Sequence, residues 1–175
     1  MKIGILGAGK ISHSTVPAMI ALEEIECWAV ASRSLEKAEE KALAWDVPKA
    51  YGSHEALLQD KDVDIVYISA VNSAHYKWAK AALLAGKHVI CEKPCTTTAA
   101  HTAQLYDLAK EKGLFFMEAQ KMLFLPAVQA AKQAIDSGRL GEIRMAEFNH
   151  SFYGSYNNGM YDEAAGGGPL LSSAI

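Results

Sequence analysis

No run of eighteen apolar residues occurs in the 175-residue sequence, so no segment reads as a membrane span. Cysteine is scarce. Cys27, Cys91 and Cys95 are odd in number and show no C-x-x-C spacing, which excludes a disulfide framework; a reduced, cytoplasmic protein is the expectation. Basic stretches are missing as well. Lys and Arg number 17 against 20 Asp and Glu, a net charge of −3, so the chain has no electrostatic footprint for nucleic acid. The His and Glu positions show no ligand spacing such as HExxH, and no metal is expected. The opening Met1–Gly7 has no small-residue cleavage site of a secretory leader and reads directly as structure. Internal repeats and low-complexity tracts are absent.

What is present is an alternation. Half the residues are hydrophobic, enough for one substantial core, or one full domain and part of a second. Short apolar runs at Lys2–Leu6, Glu26–Ala31, Asp64–Ser69, His88–Cys91 and Leu114–Met117 read as strands, with a brief one closing at Tyr51. Between them, residues 11–22, 35–45, 53–58, 73–84 and 96–112 read as helices. Ser34, Ser53 and the threonines 96–98 supply N-caps, and Gly86 and Gly113 supply stops. Near-continuous apolar strands separated by helices predict an α/β fold, a doubly wound parallel sheet over residues 1–120. A boundary near Lys121 then opens a second unit, 121–175, with a helix at Pro126–Ser137 closed by Gly138. A long alternating strand at Ile143–Phe152 and a loop at Gly154–Gly168 follow.

The first turn carries the strongest chemistry. Gly7-Ala8-Gly9-Lys10-Ile11-Ser12 lies between a strand and a helix, the context of a dinucleotide-binding turn with Ser12 in the third glycine slot. Gly7 permits the tight turn, Gly9 lets the backbone approach a pyrophosphate, and the helix N-terminus takes the charge. Lys10 and Ile11 complete the contact. The cofactor is then read from the end of the second strand. An acid there would hold the ribose hydroxyls of NAD. The sequence has Ser32-Arg33-Ser34 instead, followed by Lys37. Arg33 can fork onto a 2′-phosphate, which favours NADP, with NAD as the alternative.

The middle of the chain adds Val71-Asn72-Ser73-Ala74-His75 and the string Gly86-Lys87-His88-Val89-Ile90-Cys91-Glu92-Lys93-Pro94. With Gly141-Glu142-Ile143 and Gly166-Gly167-Gly168, these resemble the glucose–fructose oxidoreductase, inositol dehydrogenase and rhizopine-catabolism family (Gfo/Idh/MocA), along the whole chain. The resemblance implies a Rossmann domain followed by an α/β domain with an open sheet. It implies hydride transfer between a nicotinamide and a sugar, polyol or dihydrodiol, a small-molecule substrate, and a homo-oligomer at full length. It also implies that Lys93 is the catalytic lysine and that the Lys93–Pro94 peptide is cis. A lysine at the C-terminal end of a strand can exchange a proton with a substrate hydroxyl or hold the oxygen on which charge develops. Ala70, Asn72, His75, Glu92 and Lys93 itself join the expected cofactor contacts. For His75, packing at the helix start is the competing role. Cys95 is a possible reactive thiol near the crevice, and Tyr153, Tyr156 and Tyr161 could line a sugar site.

Some residues depart from the family pattern. Val71 replaces a frequent proline, Leu123 a frequent Arg, Ser172 a usual Asp and Ala174 a usual Gly. A His or Tyr that usually follows would lie beyond Ile175, and family members run to about twice this length, as two ordinary domains require. The expectation is therefore the N-terminal half of an enzyme, inactive by itself. A non-catalytic dinucleotide sensor on the same fold is the alternative. A methyltransferase-like domain would want an acid after the second strand, where Arg33 stands.

Overall fold

Apolar residues on successive positions of the strands point to opposite faces, and both faces are covered. The computed structural model describes residues 1–147, 149 and 162–168. Among them β1 (Lys2–Leu6), β2 (Glu26–Ala31), β3 (Lys49–Tyr51), β4 (Ile65–Ile68), β5 (His88–Cys91) and β6 (Phe116–Glu118) form one sheet. Its order is β3-β2-β1-β4-β5-β6, with every neighbouring pair parallel. The crossovers are α1 (Ser12–Ile20), α2 (Leu35–Trp45), α3 (His54–Leu58), α4 (Asn72–Leu84) and α5 (Ala99–Lys112). This is the expected doubly wound sheet, with its chain reversal between β1 and β4.

Two cores hold the layers. Ile3, Ile5, Val30, Ile65 and Tyr67 face Val16 of α1 and Trp45 of α2. Leu6, Ala29, Val66, Ile68 and Val89 face Leu57 of α3, Trp78 and Leu83 of α4, and Leu105 of α5. The strict alternation of Ile5 with Leu6, and of Tyr67 with Ile68, is the period of two written by the pleat.

The caps largely follow local chemistry. Ser34, Ser53 and Thr98 are N-caps whose hydroxyls accept from the N–H of Lys37, Ala56 and His101. Gly113 ends α5 in the left-handed conformation. α4 begins at Asn72 rather than Ser73, with Val71 at its N-cap and no side-chain cap. After β6, Lys121–Phe124 forms a 3-10 turn that the apolar pattern did not announce, and α6 (Pro126–Asp136) follows. The expected strand at Ile143–Phe152 is not formed over its described residues, 143–147 and 149. Alternation makes a strand only where a neighbouring backbone accepts its ladder, and no described residue pairs there. The remaining residues of that stretch lie outside the described residues.

Candidate functional site

A cleft of about 990 Å³ opens at the C-terminal ends of the strands, over the β1–β4 reversal. Its floor is the glycine turn. Gly7 has φ +98°, and a Cβ there would meet the Ala70 N and the Ser69 carbonyl carbon at 3.0 Å, so no side chain fits. A Cβ on Gly9 would come within 3.0 Å of the Ser69 carbonyl oxygen. Ser12, in the third slot, is fully buried and does more than pack. Its Oγ lies 2.7 Å from Ser69 Oγ, and both hydroxyls lie within hydrogen-bond distance of the Gly7 carbonyl. That cluster ties the β1 turn to the end of β4. The N–H groups of Gly9, Lys10 and Ile11 enter no backbone hydrogen bond among the described residues and front the cleft ahead of α1. This is the cradle that a pyrophosphate fits.

The end of β2 supplies Ser32, Arg33 and, one turn into α2, Lys37, all on the cleft. No carboxylate ends this strand. Among the described residues, Lys10, Arg33, Lys37, Lys41, Lys93 and Lys121 line the cleft against Glu40 and Glu92. A chain of net charge −3 thus concentrates six cations against two carboxylates on one surface. Glu40 is held by Lys41 at 2.8 Å, which pulls its carboxyl below the usual range.

The ends of β4 and β5 bring Ala70, Asn72, His75, Glu92 and Lys93 together on the cleft. Glu92 is fixed from below: Tyr67 donates to its Oε1 at 2.8 Å, and Thr15 of α1 donates to the Tyr67 hydroxyl at 3.0 Å. Its Oε2 accepts from the Lys93 N–H at 3.3 Å. Burial, with the Glu92 charge adding to it, pushes the Tyr67 phenol up, so Tyr67 stays a donor. The Lys93–Pro94 peptide is cis, and Lys93 is half-buried on the cleft wall. His75 is among the residues lining the wall but is 1% exposed. Its Nδ1 sits 2.7 Å from the Pro94 carbonyl and its Nε2 3.0 Å from the Ala70 carbonyl. A carbonyl only accepts, so the ring N–H donates to one of the two according to its tautomer, and the buried ring packs between the two loops, which is the packing role. Asn72 gives its amide N–H to the Gly166 carbonyl at 2.9 Å. Gly166 lies so close to α4 that a Cβ would meet Asn72 Cβ and Ser73 N at 3.0 Å.

His13, Glu40, Lys41, His54, Trp78, Lys121 and Ala165 also line the cleft and were not among the expected contacts. The only signal in the sequence is position: His54 follows a strand, and Trp78 lies on the α4 face shared with Ala74. Cys95 is not a reactive thiol. It is 3% exposed, and burial pushes its thiol up, away from the nucleophilic thiolate. Cys91 is a buried strand thiol as expected. No cluster of metal-ligating side chains occurs among the described residues. Tyr153, Tyr156, Tyr161, Ser172 and Ala174 lie outside them.

Comparison with known proteins places the chain in a family. Residues 1–120 match the family model described as an oxidoreductase family with an NAD-binding Rossmann fold. Residues 128–175 match the GFO/IDH/MocA C-terminal domain. Trans-1,2-dihydrobenzene-1,2-diol dehydrogenase of Bos taurus is 39% identical over 179 residues, covering 100% of this chain and 53% of its own. An NADP-dependent D-xylose 1-dehydrogenase of Haloferax volcanii is 39% identical over 152 residues, covering 87% of this chain and 46% of its own. The chain thus spans about half the length of the curated relatives it matches. A 3-ketoreductase from Actinomadura kijaniata, solved with TDP-benzene and NADP, superposes with a TM-score of 0.76 at 34% identity. That match covers 82% of this chain and 46% of the other. An NAD-binding oxidoreductase from Klebsiella pneumoniae gives 0.75 at 33% identity, over 81% and 40%.

Proposed function

This chain belongs to the Gfo/Idh/MocA oxidoreductase family, and on that premise we propose that its protein is an NADP-preferring dehydrogenase or reductase. The substrate we infer is a sugar, polyol or dihydrodiol. When bound, the nicotinamide supplies or accepts the hydride. Everything else falls to the chain. The Gly7–Ile11 turn binds the pyrophosphate through backbone N–H groups and the positive end of α1. Ser32, Arg33 and Lys37 take the 2′-phosphate. Glu92, aimed by Tyr67, and Asn72, anchored on Gly166, orient the nicotinamide side. Lys93 stands over that end of the cleft and exchanges the proton at the substrate oxygen.

The observation that carries the NADP preference is the cationic end of β2, where Arg33 replaces an acid. One charge-assisted bond from Arg33 is worth roughly 1.5–3 kcal/mol, or about tenfold to a hundredfold in affinity. Arg33→Ala should weaken NADP by that factor and hardly change NAD, as read by titration of both cofactors against both proteins. Equal losses would mean that Arg33 only stacks on the base, and tighter wild-type binding of NAD would refute the preference. Three buried, unpaired cysteines fit a cytoplasmic setting. Assembly into a homo-oligomer, and a division of the chain near Lys121, complete the proposal.

A further inference from the structure

The β2 end of the cleft is built from two chemically different walls. Lys10, Arg33, Lys37 and Lys41 come from the α1–α2 side of the sheet. Val71, Ala74, Trp78 and His54 come from the α3–α4 side. A ribose whose 2′-phosphate is drawn to the cations leaves its base to the apolar wall. Purine faces suit Val71 and Ala74, but the base also has a polar edge, and of the four side chains on that wall only one offers both a donor and an acceptor to meet it, the Trp78 indole being a donor alone.

That side chain is His54. It opens α3, its backbone set by Ser53, whose hydroxyl caps the Ala56 N–H at 3.1 Å. Its ring stands edge-on to Trp78, with centroids 4.6 Å apart at 89°. His54 is 8% exposed and enters no hydrogen bond with the described residues. Polar side chains this buried are nearly always paired. Among the described residues no fully sealed side-chain nitrogen or oxygen is left without a partner. The His54 nitrogens, which have none, therefore keep some accessible surface, and His54 lines the cleft.

We propose that His54 reads the edge of the adenine base, hydrogen-bonding to its N1/6-amino side while Trp78 holds the imidazole in place. The inference rests on the dinucleotide reading above. Burial holds the His54 ring below its ordinary basicity, with Lys77 and Arg33 acting in the same sense and Glu55 against it. A neutral imidazole carries one N–H and one lone pair, the complement of a purine edge that offers an acceptor and an amino donor.

The probe is 1,N6-etheno-NADP, whose extra ring occupies that edge, compared with NADP by calorimetric titration of the full chain. His54→Phe keeps the ring against Trp78 and removes the nitrogens. It should weaken NADP about threefold to tenfold, the worth of one neutral hydrogen bond, and leave etheno-NADP unchanged. His54→Gln, which keeps a polar group there, should stay closer to wild type for NADP than His54→Phe does. Equal losses of both nucleotides in His54→Phe would make His54 a packing residue and overturn the proposal. So would no loss of either. Wild-type NADP binding with either of these results sinks this inference alone. A wild type that binds neither NADP nor NAD removes the dinucleotide reading, and this one with it.

Discussion

Single side chains in this cleft are held by others rather than by their own backbone. Glu92 shows this best: Tyr67 fixes one carboxylate oxygen and the Lys93 N–H the other. Tyr67→Phe deletes that brace and leaves a half-buried carboxylate short of a donor. The expected cost is about 1–2 kcal/mol of stability, together with a looser nicotinamide side. Urea unfolding reads the first effect, and a rise in the dissociation constant of NADPH larger than that of 2′,5′-ADP reads the second. Lys93 is tested differently. Lys93→Met should leave NADPH binding largely intact and cut turnover at least about a hundredfold, the lower end of what a positioned acid–base group contributes. The assay is steady-state oxidation of a panel of dihydrodiols and aldoses by the active protein, and near-normal turnover would remove Lys93 from the mechanism.

Among the elements, β2 and its edge neighbour β3 are tied to the segment before β4 by one carboxylate. Asp60 precedes β4, and its side chain is 5% exposed. It accepts from Trp28 of β2 at 3.2 Å, and from Lys49 and Tyr51 of β3 at 3.1 and 2.9 Å. The Asp62 N–H adds a fourth bond at 3.0 Å, and Lys87 donates to the Asp60 carbonyl at 2.7 Å. Burial opposes ionisation, but these donors outweigh it and bring the carboxyl from 3.8 to about 2. The folded value is depressed, so the stabilisation is complete above the unfolded value and is lost as pH falls through the folded one. It amounts to about 2 kcal/mol, lost mostly between about pH 4 and pH 2. Asp60→Asn should lower the thermal midpoint at pH 7 and flatten its fall across that window, as a pH series of melting curves will read. A parallel fall in both proteins would show that other carboxylates govern acid unfolding.

At the scale of the molecule, burial is uneven. The sheet and α1–α5 enclose both cores, whereas α6 contains no buried residue. Met122, Leu123, Phe124, Leu125, Ile135 and Met145 stand between 43% and 82% exposed. Exposed apolar side chains in this number promote association. Leu123→Ser with Phe124→Ser should reduce light scattering on concentration and leave the thermal midpoint within about a degree, because surface positions of this kind rarely matter by more than ~0.5 kcal/mol. Limited proteolysis should cut within 121–147 well before it cuts the sheet. A large drop in the midpoint would mean that these side chains are part of the cooperative unit.

The sequence by itself determined the order of the elements, the two-sided burial of the strands, the serine and threonine caps, and the glycine turn. Each of these is a local rule, readable within a few residues because steric limits, pleat and helix period act over that range. Ser32-Arg33 and Glu92-Lys93-Pro94 were legible for the same reason: they sit directly after strands, and strand ends face the crevice. Only the tertiary structure decided what those residues touch. Ser12 meets Ser69 across 57 positions, Tyr67 meets Glu92 across 25, and Asn72 meets Gly166 across 94. His75 turned out to be a brace, and His54 came to face the cleft beside Trp78. The strand expected at Ile143 is absent over its described residues for the complementary reason, since alternation states a preference and a ladder needs a neighbour. Side-chain partnerships are set by which strands lie side by side and which face each helix covers. Those depend on the packing of the whole sheet, and no window of a few residues contains them.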